Sequence, residues 1–342
     1  MIESNSYKYD TSVKSIKKKN KEKNHNTIFR HIFNLYKKSM KPIETDEPLV
    51  VILFRPLGFL IAYLLYYTPV SPNVITILRG LTGIAAGVLF ALGLKQFLFI
   101  GGIILFVSII FDCADGQLAR LRGTHSKFGT IIDSISDVTT IVFIYAGAGI
   151  GIYLSSPDQL WVAFVFPILG IMNTAVHIYT QGLFRFEYIN YVFTSYFENL
   201  DLSKDVISKI KSRETSLKER IYNIIRLIFQ SIPTEIIKHL IMPKGYRGYH
   251  VWYKNDKTIN KKIKNFFKEN YKQNNVRLLQ GFSMLGIGGN FSVFVIGGLL
   301  GDLNLSFIIL FIGLNLWYIL MLIFQRISFY LQLKKAYAQI NK

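Results

Sequence analysis

The sequence predicts an all-α integral membrane protein with six transmembrane helices, an N-terminal juxtamembrane helix and a cytoplasmic helical insert. Of its 342 residues, 51% are hydrophobic and only 18% are charged, a balance that argues against a soluble globular protein. Six windows of about twenty largely apolar residues are long enough to cross the hydrocarbon of a bilayer. They cover 74–94, 97–118, 129–153, 160–183, 281–300 and 304–325.

The N-terminal region precedes these windows and is predicted to stay on one side of the membrane. Residues 1–48 carry eleven Lys and Arg against six Asp and Glu, which is typical of a solvated basic arm. An apolar stretch follows at 49–68, but Arg55 and Pro56 interrupt its first half. A seventh crossing there would separate the basic arm from the basic insert, against the positive-inside rule. We therefore predict a juxtamembrane, interfacial helix within 49–70.

The remaining chain divides into a membrane core, a basic insert and a tail. The core comprises 71–184 with four spans and 278–330 with two. The insert, 185–277, carries nineteen basic and nine acidic residues, and the cytoplasmic tail is 331–342. Six crossings leave both termini and the insert on the cytoplasmic side. Within 216–242, isoleucines recur at helical spacing beside basic residues, which fits either a helix in the headgroup layer or a helical pair packed on the bundle.

The net charge of +19 indicates an anionic partner. Such a charge is also typical of nucleic-acid-binding proteins, but the apolar fraction favours an anionic lipid bilayer and no nucleic-acid partner. The single cysteine, Cys113, excludes an intramolecular disulfide framework and is predicted to be a packing residue. The sequence leaves open whether the chain forms a homodimer.

Four acidic residues lie in or beside the second and third predicted spans: Asp112, Asp115, Asp133 and Asp137. Acidic groups are costly at membrane depth, so each is a functional hypothesis. Each pair is spaced to share one face of its helix, and the short link 121–127 makes the two helices antiparallel neighbours. The two pairs can therefore face each other across one gap.

Four converging carboxylates would repel each other strongly unless cations were present. Oxygen ligands without nearby His or Cys favour Mg²⁺, with Mn²⁺ as a lesser option, and four carboxylates suit two ions about 4 Å apart. Pairs of such ions are common in enzymes that catalyse nucleophilic displacement at phosphorus. The motif therefore predicts a two-metal site for phosphoryl chemistry.

The acidic motif resembles the signature of the CDP-alcohol phosphatidyltransferase family at every position. It reads Asp112-x2-Asp115-Gly116-x2-Ala119-Arg120-x8-Gly129-x3-Asp133-x3-Asp137. The resemblance extends to Ser71-Pro72-Asn73-x2-Thr76 before the first span, and altogether it covers roughly 70–185 and 278–330. Eight specified residues at fixed spacing make this far more specific than a lone glycine motif.

This resemblance implies a role for each matching residue. The four aspartates would surround two metal ions, and Asp137 would also be the general base for the acceptor hydroxyl. The cytidine and pyrophosphate site would be lined by Gly116, Ala119, Arg120 and Gly129, with Asn73 and Thr76 either contacting the nucleotide or only starting their helix. Two residues that close the fourth span, His177 and Arg185, are candidate acceptor contacts, although interface anchoring is a commoner role.

The implied reaction moves a phosphatidyl or related phosphoalcohol group from a CDP-linked donor to a hydroxyl, with release of CMP. One branch uses CDP-diacylglycerol and a small polar alcohol such as glycerol phosphate, serine, inositol or inositol phosphate. The other uses a CDP-aminoalcohol and diacylglycerol; this branch often has His after the third aspartate, where this chain has Ser134. A hypothesis of another class is an ion- or proton-coupled transporter.

Arg79 lies within the first predicted span, and its side chain is expected to point into the polar cavity or to snorkel to the surface.

Overall fold

The computed structural model describes residues 30–124, 126–192, 202–211, 216–241 and 261–340, and these contain helices and no strand. Six helical segments are long and apolar enough to cross a membrane: Pro72–Ala91, Lys95–Arg122, Phe128–Ser155, Ala163–Phe186, Lys272–Leu300 and Leu303–Gln332. They coincide with the six predicted windows. The prediction of an all-α, six-span membrane protein is confirmed.

Thirteen helices are numbered here in chain order. They are α1 (30–39), α2 (Arg55–Tyr66), α3 (Pro72–Ala91), α4 (Lys95–Arg122), α5 (Lys127–Ser155), α6 (Leu160–Val192), α7 (Leu202–Lys211), α8 (Leu217–Arg226), α9 (Ile232–Ile241), α10 (Lys261–Ser283), α11 (Ile287–Leu300), α12 (Leu303–Ile308) and α13 (Asn315–Ile340). Wider π-helical turns precede α2 at Val50–Phe54, join α8 to α9 at Leu227–Ser231, and join α12 to α13 at Ile309–Leu314.

A short turn joins α4 to α5 and brings the two motif helices together. Helix α4 ends at Gly123, whose φ of 68° lies in the left-handed region that favours glycine. Helix α5 begins after Ser126, whose hydroxyl accepts a hydrogen bond from the backbone N–H of Gly129 at 2.9 Å. The predicted link is therefore a capped turn. His125, within it, lies outside the described residues.

Helices α3 and α5 pack almost backbone to backbone. A β-carbon on Gly87 would collide with the carbonyl group of Phe143, and one on Gly80 would lie 2.9 Å from the hydroxyl oxygen of Ser136. Ser136 in turn donates a hydrogen bond of 3.1 Å to the carbonyl of Thr76 on α3. Small residues thus hold α3 close to α5, as they do in other membrane bundles.

The segment between α1 and α2 does not match the expected solvated arm. Ser39, Thr45 and Asp46 are each at most 5% exposed, although the sequence placed them in the basic arm 1–48. Asp46 is buried because it pairs with Arg55 of α2, with a distance of 2.8 Å from Nε to Oδ2. Residues 1–29 lie outside the description, so the expectation stays a prediction there.

The helix predicted within 49–70 forms as the π-helical turn at Val50 followed by α2, which ends at Tyr66, and its juxtamembrane position stays a prediction. It packs against α4, since a β-carbon on Gly58 would lie 2.7 Å from the β-carbon of Cys113. Cys113 is 2% exposed, which agrees with its predicted packing role.

The turn after α2 is fixed by Arg122 at the end of α4. The Arg122 guanidinium donates hydrogen bonds to the carbonyl oxygens of Thr68 at 2.6 Å and Val70 at 2.5 Å, and also to those of Leu65 and Tyr66. This contact sets where α3 begins.

The described part of the insert is helical, and its boundaries lie inside longer helices. Helix α6 continues to Val192, beyond the predicted boundary at 184, and α10 runs through the boundary at 277. Ile237 and Ile241 of α9 are buried in a cluster with Leu183 and Phe184 of α6. The insert therefore packs on the bundle along one face of α9.

Candidate active site

Three of the four motif aspartates form one acidic cluster. Oxygen atoms of Asp112, Asp133 and Asp137 all lie within 4.8 Å of one another, where α4 and α5 approach each other. The side chain of Asp137 is 22% exposed, whereas those of Asp112 and Asp133 are 44% and 48% exposed. Asp137 is therefore the deepest member of an otherwise open cluster.

Arg79 of α3 holds the acidic cluster together. Its Nη1 atom donates to Asp112 at 2.5 Å and to Asp133 at 2.6 Å, and its Nη2 atom donates to Asp137. The residue is 2% exposed, so it points into the site and does not snorkel. One guanidinium neutralises only one of the three negative charges of the cluster, and the remaining excess favours a further cation.

Asp115 lies beside the cluster and is not one of its three members. It is 8% exposed, and its Oδ2 atom accepts a hydrogen bond of 2.7 Å from the Thr76 hydroxyl. Thr76 was predicted to contact the nucleotide or to start its helix, and the structure gives it this carboxylate partner. Asp112 and Asp115 line the same cavity, so all four aspartates lie in one region.

The first cavity, of about 230 Å³, opens onto Asp112 and Asp133. Its lining includes all six residues predicted for the CDP moiety: Asn73, Thr76, Gly116, Ala119, Arg120 and Gly129. A β-carbon at 129 would lie 2.8 Å from the Asn73 amide oxygen, so a larger residue there would displace the Asn73 side chain. The motif spacing thus creates one polar cavity at the end of α3, α4 and α5.

The second cavity, of about 190 Å³, contains Asp137 and Arg79. It shares four lining residues with the first cavity, and we call these the shared wall: Lys41, Arg55, Asp112 and Asp133. Arg185, a predicted acceptor contact, lines the second cavity together with Gln181. The two cavities therefore meet at the acidic cluster.

His177, the other predicted acceptor contact, lies elsewhere. It is fully buried, its Nε2 atom is 3.0 Å from the Asn315 amide oxygen, and its ring packs against Tyr318. It lines none of the three cavities described in this section. The structure therefore brings Arg185 to the acidic cluster but leaves His177 in the contact between α6 and α13.

A third cavity is apolar and lies between α5 and α6. Its volume is about 290 Å³, and it reaches Ser134 and Asp137. The rest of the lining is mostly aliphatic, with Val138, Ile141, Val142, Ile171, Ala175, Ile178, Tyr179 and Ile287. Val138 and Val142 are about 40% exposed on the outer surface of this membrane bundle. An apolar group in this cavity would thus lie next to the deepest aspartate.

The sequence interpretation missed the contribution of residues 41–47 to the second cavity. Burial alone would raise the pKa of Asp46, but the charge and hydrogen bonds of Arg55 outweigh it and lower that pKa. Burial raises the pKa of Glu47 to about 8, and the Asp46 carboxylate adds to the effect. The available signal was the pair of acidic residues just before an apolar stretch that itself contains Arg55.

The acidic cluster fits a hard divalent cation. Its ligand atoms are carboxylate oxygens, which suit Mg²⁺ or Mn²⁺, and the described residues place no His or Cys among them. The three carboxylates could thus hold a metal ion.

Together, the fold and site define a polytopic helical membrane protein with an acidic cluster between polar and apolar cavities. Residues 69–200 match the family model of CDP-alcohol phosphatidyltransferase, the family whose signature the acidic motif resembles. A Mycobacterium tuberculosis relative, phosphatidylinositol phosphate synthase, is 34% identical over 77 residues, which cover 22% of this chain and 35% of the relative. A Methanocaldococcus jannaschii relative, CDP-diacylglycerol–serine O-phosphatidyltransferase, is 54% identical over 37 residues, covering 11% and 18% respectively.

These matched segments span only about a third or less of the relatives' own lengths. Among solved structures, the chain is similar to M. tuberculosis phosphatidylinositol phosphate synthase with CDP-DAG bound. That similarity has a TM-score of 0.29 and 18% sequence identity, and it covers 59% of this chain and 94% of the other.

Proposed function

We propose that this protein transfers a phosphatidyl group from CDP-diacylglycerol to the hydroxyl of a small polar alcohol and releases CMP. The observation that carries the proposal is the first cavity: six motif residues predicted for a CDP moiety line it, and it opens onto the acidic cluster. The match to the family model over 69–200 supports the same reaction class.

The first cavity suits the nucleotide part of the donor. Asn73 and Thr76 offer polar side chains at the start of α3, where a helix N-terminus favours anionic groups. Arg120 lines the same cavity and can pair with phosphate. We propose that the four aspartates hold two Mg²⁺ ions, which when bound would neutralise charge on the phosphate oxygens. In this arrangement, the pyrophosphate would extend from the first cavity to the shared wall.

The second cavity suits the acceptor. It contains Asp137, which would accept the proton of the acceptor hydroxyl as that oxygen attacks the β-phosphorus and the bond to the CMP oxygen breaks. Arg185 lines this cavity and not the first, and its guanidinium favours an acceptor that also carries an anionic group. Among the alcohols considered, glycerol phosphate and inositol phosphate fit best. His177 has no part in this assignment.

The apolar cavity supports a lipid substrate. It reaches Asp137 from the outer surface of α5 and α6, so an acyl or glycerol portion could lie there while the phosphate stays at the acidic cluster. The basic excess of the arm and insert supports a cytoplasmic active site with both termini on that side, since positively charged segments are retained there. A basic cytoplasmic face would also favour anionic lipid around the enzyme.

The test is CMP release by the purified protein in nanodiscs with Mg²⁺ and CDP-diacylglycerol, offered glycerol phosphate, inositol phosphate, inositol and serine separately. We expect CMP together with a phosphodiester lipid of the matching mass, fastest with a phosphorylated acceptor. A matched control is Asp137→Asn, which should release no CMP above background. CMP release only with a CDP-aminoalcohol and diacylglycerol would assign the other branch and overturn this proposal.

A further inference from the structure

The N-terminal segment contributes a basic residue to the shared wall. Lys41 lies outside the matched region 69–200, yet it lines both the first and the second cavity. The other basic member of the wall, Arg55, already has Asp46 as a partner, with distances of 2.8 and 3.2 Å. Lys41 is therefore the cation of this wall that is available to a ligand reaching both cavities.

The position of Lys41 is fixed through its neighbours. The Gln117 amide donates to the Ser39 hydroxyl at 3.3 Å and to the Arg55 carbonyl at 3.2 Å. The Arg120 guanidinium donates to the Ser39 carbonyl. Asp46 is held by its ion pair on the other side of Lys41. Contacts before and after this residue thus attach it to α2 and α4.

On the basis of the proposed function, we infer that the Lys41 ammonium binds the phosphoryl group that is transferred between the two cavities. The β-phosphorus must be reachable from the donor in the first cavity and from the acceptor hydroxyl in the second, so it must lie at the shared wall. An ammonium there can stabilise the negative charge on the oxygens of the transferring phosphoryl group. Lys41 would then be a catalytic residue supplied from outside the matched region.

The electrostatic surroundings of Lys41 support an anionic ligand. Burial lowers the pKa of this lysine, and the nearby Arg185, Arg55 and Arg120 lower it further, against the opposing charge of Asp46. Several cations in one place are unfavourable until an anion joins them. A phosphate group at the shared wall would relieve this repulsion.

The test compares CDP with CMP binding to the full-length protein by titration calorimetry in the presence of Mg²⁺. Lys41→Gln should weaken CDP binding by about tenfold and leave CMP binding unchanged, because only CDP has a β-phosphate. Lys41→Arg should retain much of the CDP affinity. Lys37→Gln is the control, since Lys37 is exposed on α1 and stacks on Phe33, outside both cavities.

Turnover separates this inference from the proposed function. If the wild type releases CMP, Lys41→Gln should lower kcat by at least about tenfold. A wild type that binds CDP but never releases CMP would refute the proposed function and leave the binding comparison valid. CDP binding by Lys41→Gln that equals the wild type, or equal losses for CDP and CMP, would overturn the role of Lys41. No CDP binding by the wild type would overturn both.

A second surface carries an independent inference. Seven apolar residues of α8, the π-helical turn and α9 are between 42% and 74% exposed, and we call them the insert stripe. They are Leu217, Ile221, Ile224, Ile228, Ile232, Ile236 and Leu240. They recur every three or four residues, so they form one continuous apolar face. A contiguous apolar face of this length indicates a binding surface.

The location and charge of the insert identify the partner. Ile237 and Ile241, on the opposite face of α9, are buried against Leu183 and Phe184 of the spanning helix α6. Those two residues lie near Phe186, where the apolar span of α6 ends. The region 185–277 has nineteen basic and nine acidic residues, which complements an anionic leaflet. We propose that the insert stripe lies in the headgroup layer of an anionic bilayer.

Lipid contact can be measured with an environment-sensitive fluorophore on single cysteines in a Cys113→Ala background. The labelled protein is placed in phosphatidylcholine and phosphatidylglycerol nanodiscs with brominated acyl chains. Labels at Ile224→Cys and Ile236→Cys should be quenched several times more strongly than a label at His239→Cys, an exposed polar control. Equal quenching at all three positions would overturn the proposal. Equally strong quenching in nanodiscs without brominated lipid would also overturn it, because the quencher would then be a second copy of the protein.

Discussion

The two polar cavities that meet at the acidic cluster differ in where their walls come from. The first is lined largely by residues of α3, α4 and α5, most of them in one motif. The second adds residues 46–50 before α2, three residues of α6 and residues 287–291 of α11. The first cavity therefore depends mainly on segments that are close in the chain, whereas the second depends on the packing of segments that are far apart in it.

The largest expected effect is at Asp137, a member of the acidic cluster that lines the second cavity but not the first. Asp137→Asn keeps the size of the side chain and an oxygen to accept from Arg79, but it removes the proposed base. Turnover should fall by about a thousandfold. CMP affinity, measured by calorimetry, should stay near the wild-type value. If this variant lost nucleotide affinity as well, the separation between the two cavities would be wrong.

A smaller effect is expected at the basic end of the second cavity. Arg185→Gln removes the charge proposed to hold an anionic acceptor, so the KM for a phosphorylated acceptor should rise by about tenfold. The KM for CDP-diacylglycerol should not change. A rise confined to the donor KM would assign Arg185 to the other cavity.

A substitution in the first cavity should instead affect binding of the donor. Asn73→Ala removes an amide that lines the cavity and lies beside Gly129. One neutral hydrogen bond contributes about 1 kcal/mol, so the KM for CDP-diacylglycerol should rise roughly fivefold. The acceptor KM serves as the internal control. An unchanged donor KM would favour the alternative role of Asn73, which is only to start α3.

The smallest effect concerns the stability of the second cavity. Because the folded-state pKa of Glu47 is raised from 4.5 to about 8, the folded protein retains this proton more strongly than the unfolded chain does. The contribution of protonated Glu47 to the free energy of unfolding is therefore lost as the pH rises from about 4.5 to about 8. Glu47→Gln should raise the midpoint of thermal unfolding by a few degrees at high pH and have little effect under acidic conditions. An equal shift at both extremes would refute this account.

The sequence predicted the motif hairpin well because its residues lie on two helices joined by a short link. Helical spacing then suffices to place Asp112, Asp133 and Asp137 on facing surfaces. Arg79 could also be anticipated, since a buried arginine in a span needs carboxylate partners. These relations depend on local geometry and on the cost of burying charge, which a single sequence contains.

The second cavity was harder to predict because its walls depend on tertiary packing. His177 and Arg185 lie two turns apart on α6, so the sequence offered both as acceptor contacts. Helix α6 has neighbours on more than one side, and only packing shows that His177 contacts Asn315 of α13. Similarly, the charge of residues 1–48 indicated a solvated arm, and no local pattern links Asp46 to Arg55 of α2 or to the second cavity.

The carbonyl contacts made by the end of α4 have a consequence for biogenesis. Arg120 and Arg122 bind backbone oxygens of Ser39 and of the turn that ends at Val70, all of which are synthesised earlier. Those earlier segments have no such anchor until the ribosome has completed α4. These contacts therefore cannot form until α4 has been synthesised, although the carbonyls that they bind belong to segments made earlier.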